Sequence, residues 1–560
     1  MAIAQEKSLG KGDITSVQYN LSDKDDIGST NDIDRLHRSL NNRQVQWIAI
    51  GGSIGTALFV SIAWGLTAGG PGSLLLAFIF YSCVVGCINS GIAEMTVYMP
   101  VSGSFIRYAG KWVDDAFGFM AGWNFFLYEA ILIPFEISSL CLVLKFWRDD
   151  IPIWAVCLGC IVIYGLINVF AVKLYGDAEF WLSSGKIILL LIMFCFTFVT
   201  MVGLNPKHDA YGFRYWKNPG AFAESMTTGS LGRLHGFLGS LNAAAVTICG
   251  PEYIAMVSGE AIYPRVTIKQ AFKTVYWRFG CFFVLGALCV GVVVPYNDSK
   301  LLNILNTEGT SSGASSPYII AMANLGVDGL PHLVNALLAT SVFSAGNTYI
   351  YMATRSLYSL SIQGQAPKFL RATTKSGVPW SCFCVTMIFP FLSFLQVSSS
   401  SAQAIRWLTN LVTASQVLNY VIIGITYMCF YRALKAQGVD RRTLPYRGWC
   451  QPYVNIFGTS FAFAVLFLQS YSVFLPGHWS LGTFFTYYTM IFTCIVLFAG
   501  WKLAKKTRFM RPEEADLVWD KPLIDAYEAG IDPPKGLWED IWTGTRTLFG
   551  MKHAQKGDAV

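Results

Sequence analysis

Long apolar runs recur along this chain from Trp47 almost to Trp501, and short polar segments separate them. A helix that crosses about 30 Å of hydrocarbon needs about 20 mostly apolar residues, and these runs have that length. Transmembrane β-strands would alternate apolar and polar residues in segments of about ten, which these runs do not. The pattern therefore predicts about twelve membrane helices, near 46–66, 73–98, 117–144, 153–172, 180–203, 235–257, 275–295, 331–360, 379–397, 404–431, 452–475 and 482–503.

Composition places the chain in the same class. Of its 560 residues, 53% are hydrophobic and only 13% are charged, which is typical of an all-α polytopic membrane protein. A polar segment, 1–45, precedes the first run, so we expect a disordered tail there and no cleavable signal peptide. We predict a transmembrane domain over 46–503 and a second tail over 504–560.

Basic residues fall in alternate loops, which predicts the orientation of the chain. The loops that carry them are cytoplasmic by the positive-inside rule, so both termini are expected in the cytosol. The net charge of +7 then reflects membrane topology and indicates no nucleic-acid partner, because a basic soluble face is absent from the sequence. The residues concerned are Arg107, Lys111, Lys173, Arg265, Lys269, Lys273, Lys368, Arg371, Lys375 and those of 432–447.

Residue patterns that would indicate an enzyme or a cofactor are missing from the sequence. The Cys157-x-x-Cys160 pair lies inside a predicted membrane helix without further ligands nearby, so we interpret it as packing and expect no metal site. The six histidines do not cluster with acids or cysteines, and no nucleotide-binding P-loop sequence occurs. We therefore expect no enzymatic activity and no cofactor.

The first apolar run contains IAIGGSIGTALFV at 48–60, where glycines crowd the centre of a membrane helix. Each interior glycine weakens a helix by roughly 1 kcal/mol relative to alanine, and hydrocarbon offers no water to a freed amide. A helix broken here would expose backbone amides and carbonyls to an ion or ligand. The alternative is that the glycines only allow close helix packing.

A second interruption, Gly250-Pro251-Glu252, lies within the sixth apolar run. Proline removes an amide donor and clashes with the preceding turn, so the chain should be non-helical there. Interrupted segments at equivalent places in two halves are typical of alternating-access transporters built from inverted repeats.

Several sequence blocks in order carry a family resemblance across nearly the whole membrane portion. They are IAIGGSIGTALFV (48–60), AEMTVYMPVSGSF (93–105), LIPFEISS (132–139), AEFWLSSGKIILL (178–190), GFRYWKNPGAF (212–222), VVVPYND (292–298) and FSAGNTYIYMATRSLYSLSIQGQAPK (343–368). The chain resembles the fungal amino-acid permeases of the yeast amino-acid transporter family, within the amino acid/polyamine/organocation superfamily.

That resemblance implies a five-plus-five inverted repeat with broken first and sixth helices, followed by two further helices. It implies a substrate held between the two breaks, with its α-carboxylate against the first break and its amino group facing Gly250. The family usually has aromatic residues before the sixth-helix break, where this chain reads Val246, Thr247 and Ile248, so the pocket floor or gate is expected to differ. The predicted substrate-binding residues are Gly51, Ser53, Ile54, Gly55, Thr56, Val246, Ile248 and Gly250.

Lys186 is the predicted proton-coupling residue, because a lysine inside hydrocarbon costs at least about 2.5 kcal/mol unless it is solvated, paired or neutralised. Related transporters place a lysine in this helix where sodium-coupled relatives bind an ion; the alternative is a lysine that snorkels to the cytoplasmic surface.

Four glutamates within apolar runs are predicted to be either structural or cation-binding: Glu94, Glu129, Glu136 and Glu252. Glu129 and Glu136 lie seven residues apart, near one face of the third helix. Two like charges so placed would either keep one of them protonated or hold a cation; a neutral, hydrogen-bonded pair is the simpler reading.

The function predicted from the sequence is a proton-coupled plasma-membrane importer of amino acids. A carrier of a polyamine, carnitine or another cationic amino compound is the first alternative, and a nutrient sensor that hardly transports is the second. The expected partners are the solute, the proton, the lipid bilayer and ubiquitin-ligase machinery acting on tail residues such as Lys7 and Lys11.

Overall fold

The structure is a computed structural model that describes residues 38, 40–148, 150–170, 175–306, 316–374, 378–398 and 401–530, without the side chains of 170, 175–180, 304–306, 398 and 401–406. The predicted N-terminal tail, with Lys7 and Lys11, lies almost entirely outside these residues.

Each predicted apolar run contains a helix, and over the described residues the chain is helical with one isolated β-bridge between Leu40 and Ala261. The fold class is therefore confirmed. The spans are α1a (Asn42–Ser53), α1b (57–69), α2 (71–98), α3 (Asp115–Leu144), α4 (Ile153–Phe170), α5 (Tyr175–Met201), α6a (Gly229–Thr247), α6b (Pro251–Met256), α7 (Pro264–Val293), α8 (Leu330–Ile362), α9 (Trp380–Val397), α10 (Ser401–Ala436), α11 (Tyr453–Leu468) and α12 (Leu481–Lys505).

Seven helices of the described residues are long and apolar enough to cross a membrane, and α4 and α11 are shorter apolar helices. Helices α1b and α2 count as one of the seven, Ala57–Tyr98, because only Gly70 interrupts it, with φ 76°. Interruptions in the first and sixth spans are what a five-plus-five repeat predicts.

Helix boundaries follow local sequence signals. Helix α1a begins after Asn41, whose side chain accepts a hydrogen bond from the Gln44 amide while the Gln44 side chain accepts one from the Asn41 amide. Helix α3 begins after Asp114, which accepts from the Ala116 amide and pairs with Lys502 on α12.

The core and the outer surface are built from different helices. Helix α3 packs extensively against α8 and α10, and α1a packs against α5. Large apolar side chains on α4, α9, α11 and α12 point outward, as expected for a surface that faces lipid. Examples are Trp154, Leu166, Phe391, Phe463, Phe485 and Val496.

The chain after α12 packs back onto the loops predicted to be cytoplasmic. A further helix, Lys521–Ala529, forms there, and Asp520 at its start pairs with Arg107 at 3.0 Å. Arg265 pairs with Asp525 at 2.6 Å and Glu528 at 3.0 Å. Part of the predicted second tail is thus held against the basic loops by opposite charge.

Candidate functional site

The first interruption lies where the glycines predict it. Helix α1a ends at Ser53, and Ile54 is extended, with φ −117° and ψ 102°. The chain resumes helical geometry at Thr56 and passes through a π-helical turn, Ala57–Ser61. Carbonyls at the end of α1a and amides at the start of α1b consequently lose their helical partners.

Carbonyls of the first break are bound by side chains from two other helices. The Lys186 ammonium on α5 donates to the Gly51 carbonyl at 2.6 Å, and Lys186 is fully buried. The Tyr349 hydroxyl on α8 donates to the Gly52 carbonyl at 3.2 Å. Lys186 therefore points into the break and does not snorkel to the surface.

The amide side of the same break is bound by Glu136 from α3. Its Oε1 accepts from the Thr56 amide at 3.2 Å, and its Oε2 accepts from the Thr56 hydroxyl at 2.5 Å. A Cβ on Gly55 would lie 2.5 Å from Oε1, so glycine is what allows this approach. A carboxylate of the protein itself therefore lies where the sequence predicts a solute carboxylate.

The second break has different partners. Ile248 is extended after α6a, and Gly250 has φ 142°, a conformation that side chains rarely adopt. The Ile248 carbonyl accepts from Gln416 Nε2 at 3.1 Å and from the Tyr420 hydroxyl at 3.3 Å, both on α10.

Glu252 closes the second break on its other side. Its Oε2 accepts from the Gly250 amide at 3.2 Å and lies 3.1 Å from the Tyr420 hydroxyl. Pro251, at the start of α6b, needs no acceptor because it has no N–H. Glu252 thus tethers the interrupted sixth helix, one of the two roles that the sequence left open.

The two breaks meet in the structure. A Cβ on Gly250 would lie 3.6 Å from the Ser53 Cβ, and the Cys249 thiol lies 3.8 Å from the Ser53 carbonyl oxygen. The ring of Tyr253 packs on Gly52, where a Cβ would lie 3.0 Å from it. The remaining predicted substrate-binding residues are buried beside the breaks: Ile54, Val246 and Ile248.

Glu129 is fully buried, and neither of its carboxyl oxygens has a hydrogen-bond partner among the described residues. The Tyr253 hydroxyl lies close to this carboxyl, and the Tyr128 hydroxyl lies 3.5 Å from that of Tyr253. Glu252 is the neighbouring like charge. Among the described residues, Glu129 is therefore an acid without a hydrogen-bond donor in contact, unlike Glu136, which binds Thr56.

Glu94 lies at the other end of its helix, away from the breaks. Its carboxylate accepts from Arg441 at 2.8 and 2.9 Å and from the Gly448 amide at 2.9 Å. This ion pair joins α2 to the loop between α10 and α11, which is the anchoring role that the sequence offered as one reading. The hydrogen bond from Arg441 raises the pKa of that guanidinium further.

Arg278 on α7 is a charged residue that the sequence reasoning missed. It is 6% exposed and lies on the helix face of the buried Ala271 and Val275. Its NH1 would be 4.0 Å from a Cβ on Gly250, which places it at the second break. The signal that identified Lys186, a cation inside an apolar run, was present here too.

Cys157 and Cys160 are both buried. The sulfur of Cys157 lies 4.0 Å from the sulfur of Cys141 on α3. Over the part of the chain that is described, no three His, Cys, Asp or Glu side chains are grouped closely enough to hold a metal ion.

Comparison with known proteins gives one consistent result. Residues 44–513 match the family described as amino acid permease. The general amino acid permease AGP2 of Saccharomyces cerevisiae is 43% identical over 498 residues, which cover 88% of this chain and 83% of that protein. The proline-specific permease of Emericella nidulans is 35% identical over 97% of this chain and 99% of that protein. The lysine-specific permease of Saccharomyces cerevisiae is 33% identical over 90% of this chain and 82% of that protein. In a comparison of structures, a solved manganese transporter of Eremococcus coleocola has a TM-score of 0.49 and 13% identity over 86% of this chain and 95% of that one.

Proposed function

The chain belongs to the amino acid permease family, and we propose that it is a proton-coupled symporter that imports amino acids across the plasma membrane by alternating access. It is a multi-pass membrane protein and a transporter, not an enzyme. What we propose beyond family membership is the coupling to protons, the location in the plasma membrane and the alternating-access cycle.

The observation that carries the proposal is the charge arrangement at the first break. The Lys186 ammonium binds the carbonyl end and the Glu136 carboxyl binds the amide end of one interrupted helix. Buried charges at membrane depth are expensive, so each is stabilised by the backbone groups and by the other.

A solute carboxylate would compete with Glu136 for the amide and hydroxyl of Thr56. When the solute takes those donors, Glu136 loses two hydrogen bonds and the site gains a negative charge. Both changes favour uptake of a proton by the Lys186–Glu136 pair, so solute and proton bind together. That linkage is what a symporter requires.

Uptake into proteoliposomes tests the proposal. We would measure counter-flow with radiolabelled L-proline, L-lysine, L-glutamate, spermidine and carnitine, with and without a pH gradient that is acidic outside. Accumulation of at least one amino acid above its external concentration, abolished by a protonophore, is expected. Uptake that only equilibrates and ignores the gradient would contradict proton coupling.

A cationic solute is the second candidate, and Glu129 is the observation that favours it. A fully buried carboxyl without a hydrogen-bond partner among the described residues, beside the tyrosines Tyr128 and Tyr253, suits an ammonium group. If this candidate is correct, spermidine or carnitine will be the preferred solute, and Glu129→Gln will reduce its uptake more than that of L-proline.

Regulation at the tails is a separate proposal. We infer that ubiquitin-ligase machinery modifies the N-terminal tail, since Lys7 and Lys11 lie in a polar, Ser- and Asp-rich segment. Replacing both by Arg should keep a fluorescent fusion at the cell surface under excess nutrient. Equal internalisation of variant and parent would show that these lysines are not the targets.

A further inference from the structure

Arg278 is a buried cation without a hydrogen-bond partner among the described residues, and nothing in the transport cycle described above uses it. Its Nε and both terminal nitrogens have no hydrogen-bond partner among the described residues, although the residue is only 6% exposed. A guanidinium offers five N–H donors, and leaving them unpaired in a dry interior costs several kcal/mol. The native environment of Arg278 is therefore expected to include an acceptor.

A second donor without a hydrogen-bond partner among the described residues lies on the neighbouring helix α2. Helices α2 and α7 run antiparallel, because the Tyr276 hydroxyl donates to the Gly86 carbonyl and the Asn89 amide donates to the Phe272 carbonyl. That register brings Val84 level with Arg278 and Tyr81 about one turn away from it, and Tyr81 and Arg278 share Cys249 and Glu252 as ionisable neighbours. The Tyr81 hydroxyl is fully buried and also lacks a partner within the described chain.

The ionisable groups that face Arg278 are on α6b and the break before it. They are Cys249 and Glu252, and Glu252 is already bound to the Gly250 amide and to Tyr420. A Cβ on Gly250 would find only ordinary van der Waals neighbours, at 3.6 Å from Ser53 and 4.0 Å from Arg278. The guanidinium therefore lies within van der Waals reach of the second break.

Backbone geometry at Arg278 supports a role beyond packing. Helix α7 changes from α-helical to π-helical immediately after this residue, over Phe279–Val284. Single π-helical segments inside membrane and soluble helices occur frequently at functional sites. At the first break, the π-helical turn Ala57–Ser61 likewise follows the residue that binds Glu136.

We propose that Arg278 and Tyr81 form a small-anion site at the break of the sixth helix, which binds either a carboxylate of the transported solute or an inorganic anion such as chloride. The solute alternative rests on the proposed function, whereas the chloride alternative does not. A carboxylate at Arg278 occupies a second position, distinct from Thr56 at the first break, where the proposed function places a solute carboxylate.

Thermal stability of the purified protein in nanodiscs tests this site by binding alone, so a failure of proton coupling would not affect the result. Three probe comparisons distinguish the sources: chloride against isethionate, L-lysine against cadaverine, and L-glutamate against L-glutamine. The first isolates an inorganic anion, the second an α-carboxylate and the third a side-chain carboxylate.

In the parent, at least one comparison should favour the probe that carries the small anion. Arg278→Gln should lower the affinity for that preferred probe by about 10- to 100-fold, the loss expected for a charge-assisted hydrogen bond. Arg278→Lys, which keeps the charge but loses the planar fork, should retain part of the preference. If the Gln variant does not fold, the parent and the Lys variant decide the question.

Three results would overturn the proposal. In the first, the parent shows none of the three preferences, and in the second, Arg278→Gln keeps every preference of the parent. In the third, adding Glu252→Gln to Arg278→Gln restores the stability and the solute preference of the parent. The last result would mean that Arg278 only neutralises Glu252.

Discussion

The two helix breaks have the same architecture but different chemistry. In each, a carbonyl near the end of the first half-helix is bound by the fifth helix of the same set of five, α5 for the first break and α10 for the second. At the first break that donor is the ammonium of Lys186, and the Tyr349 hydroxyl on α8 binds the next carbonyl. At the second, the donors are the neutral amide of Gln416 and the hydroxyl of Tyr420.

The amide sides differ in a similar way. Glu136, which binds the Thr56 amide, comes from a separate helix, so movement of α1 relative to α3 breaks the contact. Glu252, which binds the Gly250 amide, lies two residues away on the same chain and moves with it. The comparison teaches that the carbonyl side of an interrupted helix does not need a charged donor, so the ammonium of Lys186 at the first break serves a purpose other than holding it.

The largest effect is expected for Gly55→Val. Its side chain would collide with Glu136 and with Ala345, whose Cβ would be 3.2 Å from the new Cβ, so the carboxyl could not reach Thr56. We expect uptake to be abolished while the protein still reaches the membrane. Gly185→Val on α5 is the matched control, since a Cβ there has no neighbour within 4 Å among the described atoms. Normal uptake by a well-expressed Gly55→Val variant would refute the importance of this approach.

Lys186→Ala should separate coupling from exchange. Removing the ammonium leaves the Gly51 carbonyl without this donor and the site without its cation, so accumulation against a gradient should be lost while solute exchange continues. Gln416→Ala, the equivalent change at the second break, should keep pH-dependent accumulation. If both variants lose it equally, the two breaks do not differ in the way described.

Tyr420→Phe should have a smaller effect on the second break. The Ile248 carbonyl keeps its bond from Gln416, so the loss is about 1–2 kcal/mol for hydrogen bonds to Ile248 and Glu252. We expect uptake to fall by at most about 30-fold, with the number of protons per solute unchanged. A change in that number, measured from uptake at several pH gradients, would place coupling at the second break as well.

Asp209→Asn should have the smallest effect. This exposed residue between α5 and α6a pairs with Arg214 at 2.5 and 2.9 Å, and the guanidinium holds the pKa of Asp209 below its usual range. A carboxyl whose pKa is lowered by folding contributes stability above its unfolded pKa, near 4, and loses that contribution as pH falls through the folded value. Between pH 5 and 7 the group stays ionised, so the pH profile of uptake should match the parent's.

Sequence reasoning predicted the helices and both breaks because these depend on local signals: apolar length, glycines at 51, 52 and 55, and the Gly250-Pro251 step. It selected Lys186 and Glu136 because charge in hydrocarbon is conspicuous. It did not predict that Glu136 binds Thr56, 80 residues away in sequence, since pairing between helices depends on packing that no local pattern specifies. Arg278 was missed because three basic residues precede it in α7 and it was not separated from that cytoplasmic cluster.

The most direct test of the central claim, that the first break carries proton coupling, is a measurement of proton flux. Proteoliposomes would contain a pH-sensitive dye, and the best-transported solute of the radiolabelled panel would be added outside without an imposed gradient. Three proteins would be compared: the parent, Lys186→Gln, which gives the first break a neutral amide donor, and Gln416→Ala.

Solute entry should acidify the lumen in the parent and in Gln416→Ala, whereas Lys186→Gln should exchange solute without acidification. The contradicting result is acidification by Lys186→Gln at the parent's ratio of protons to solute.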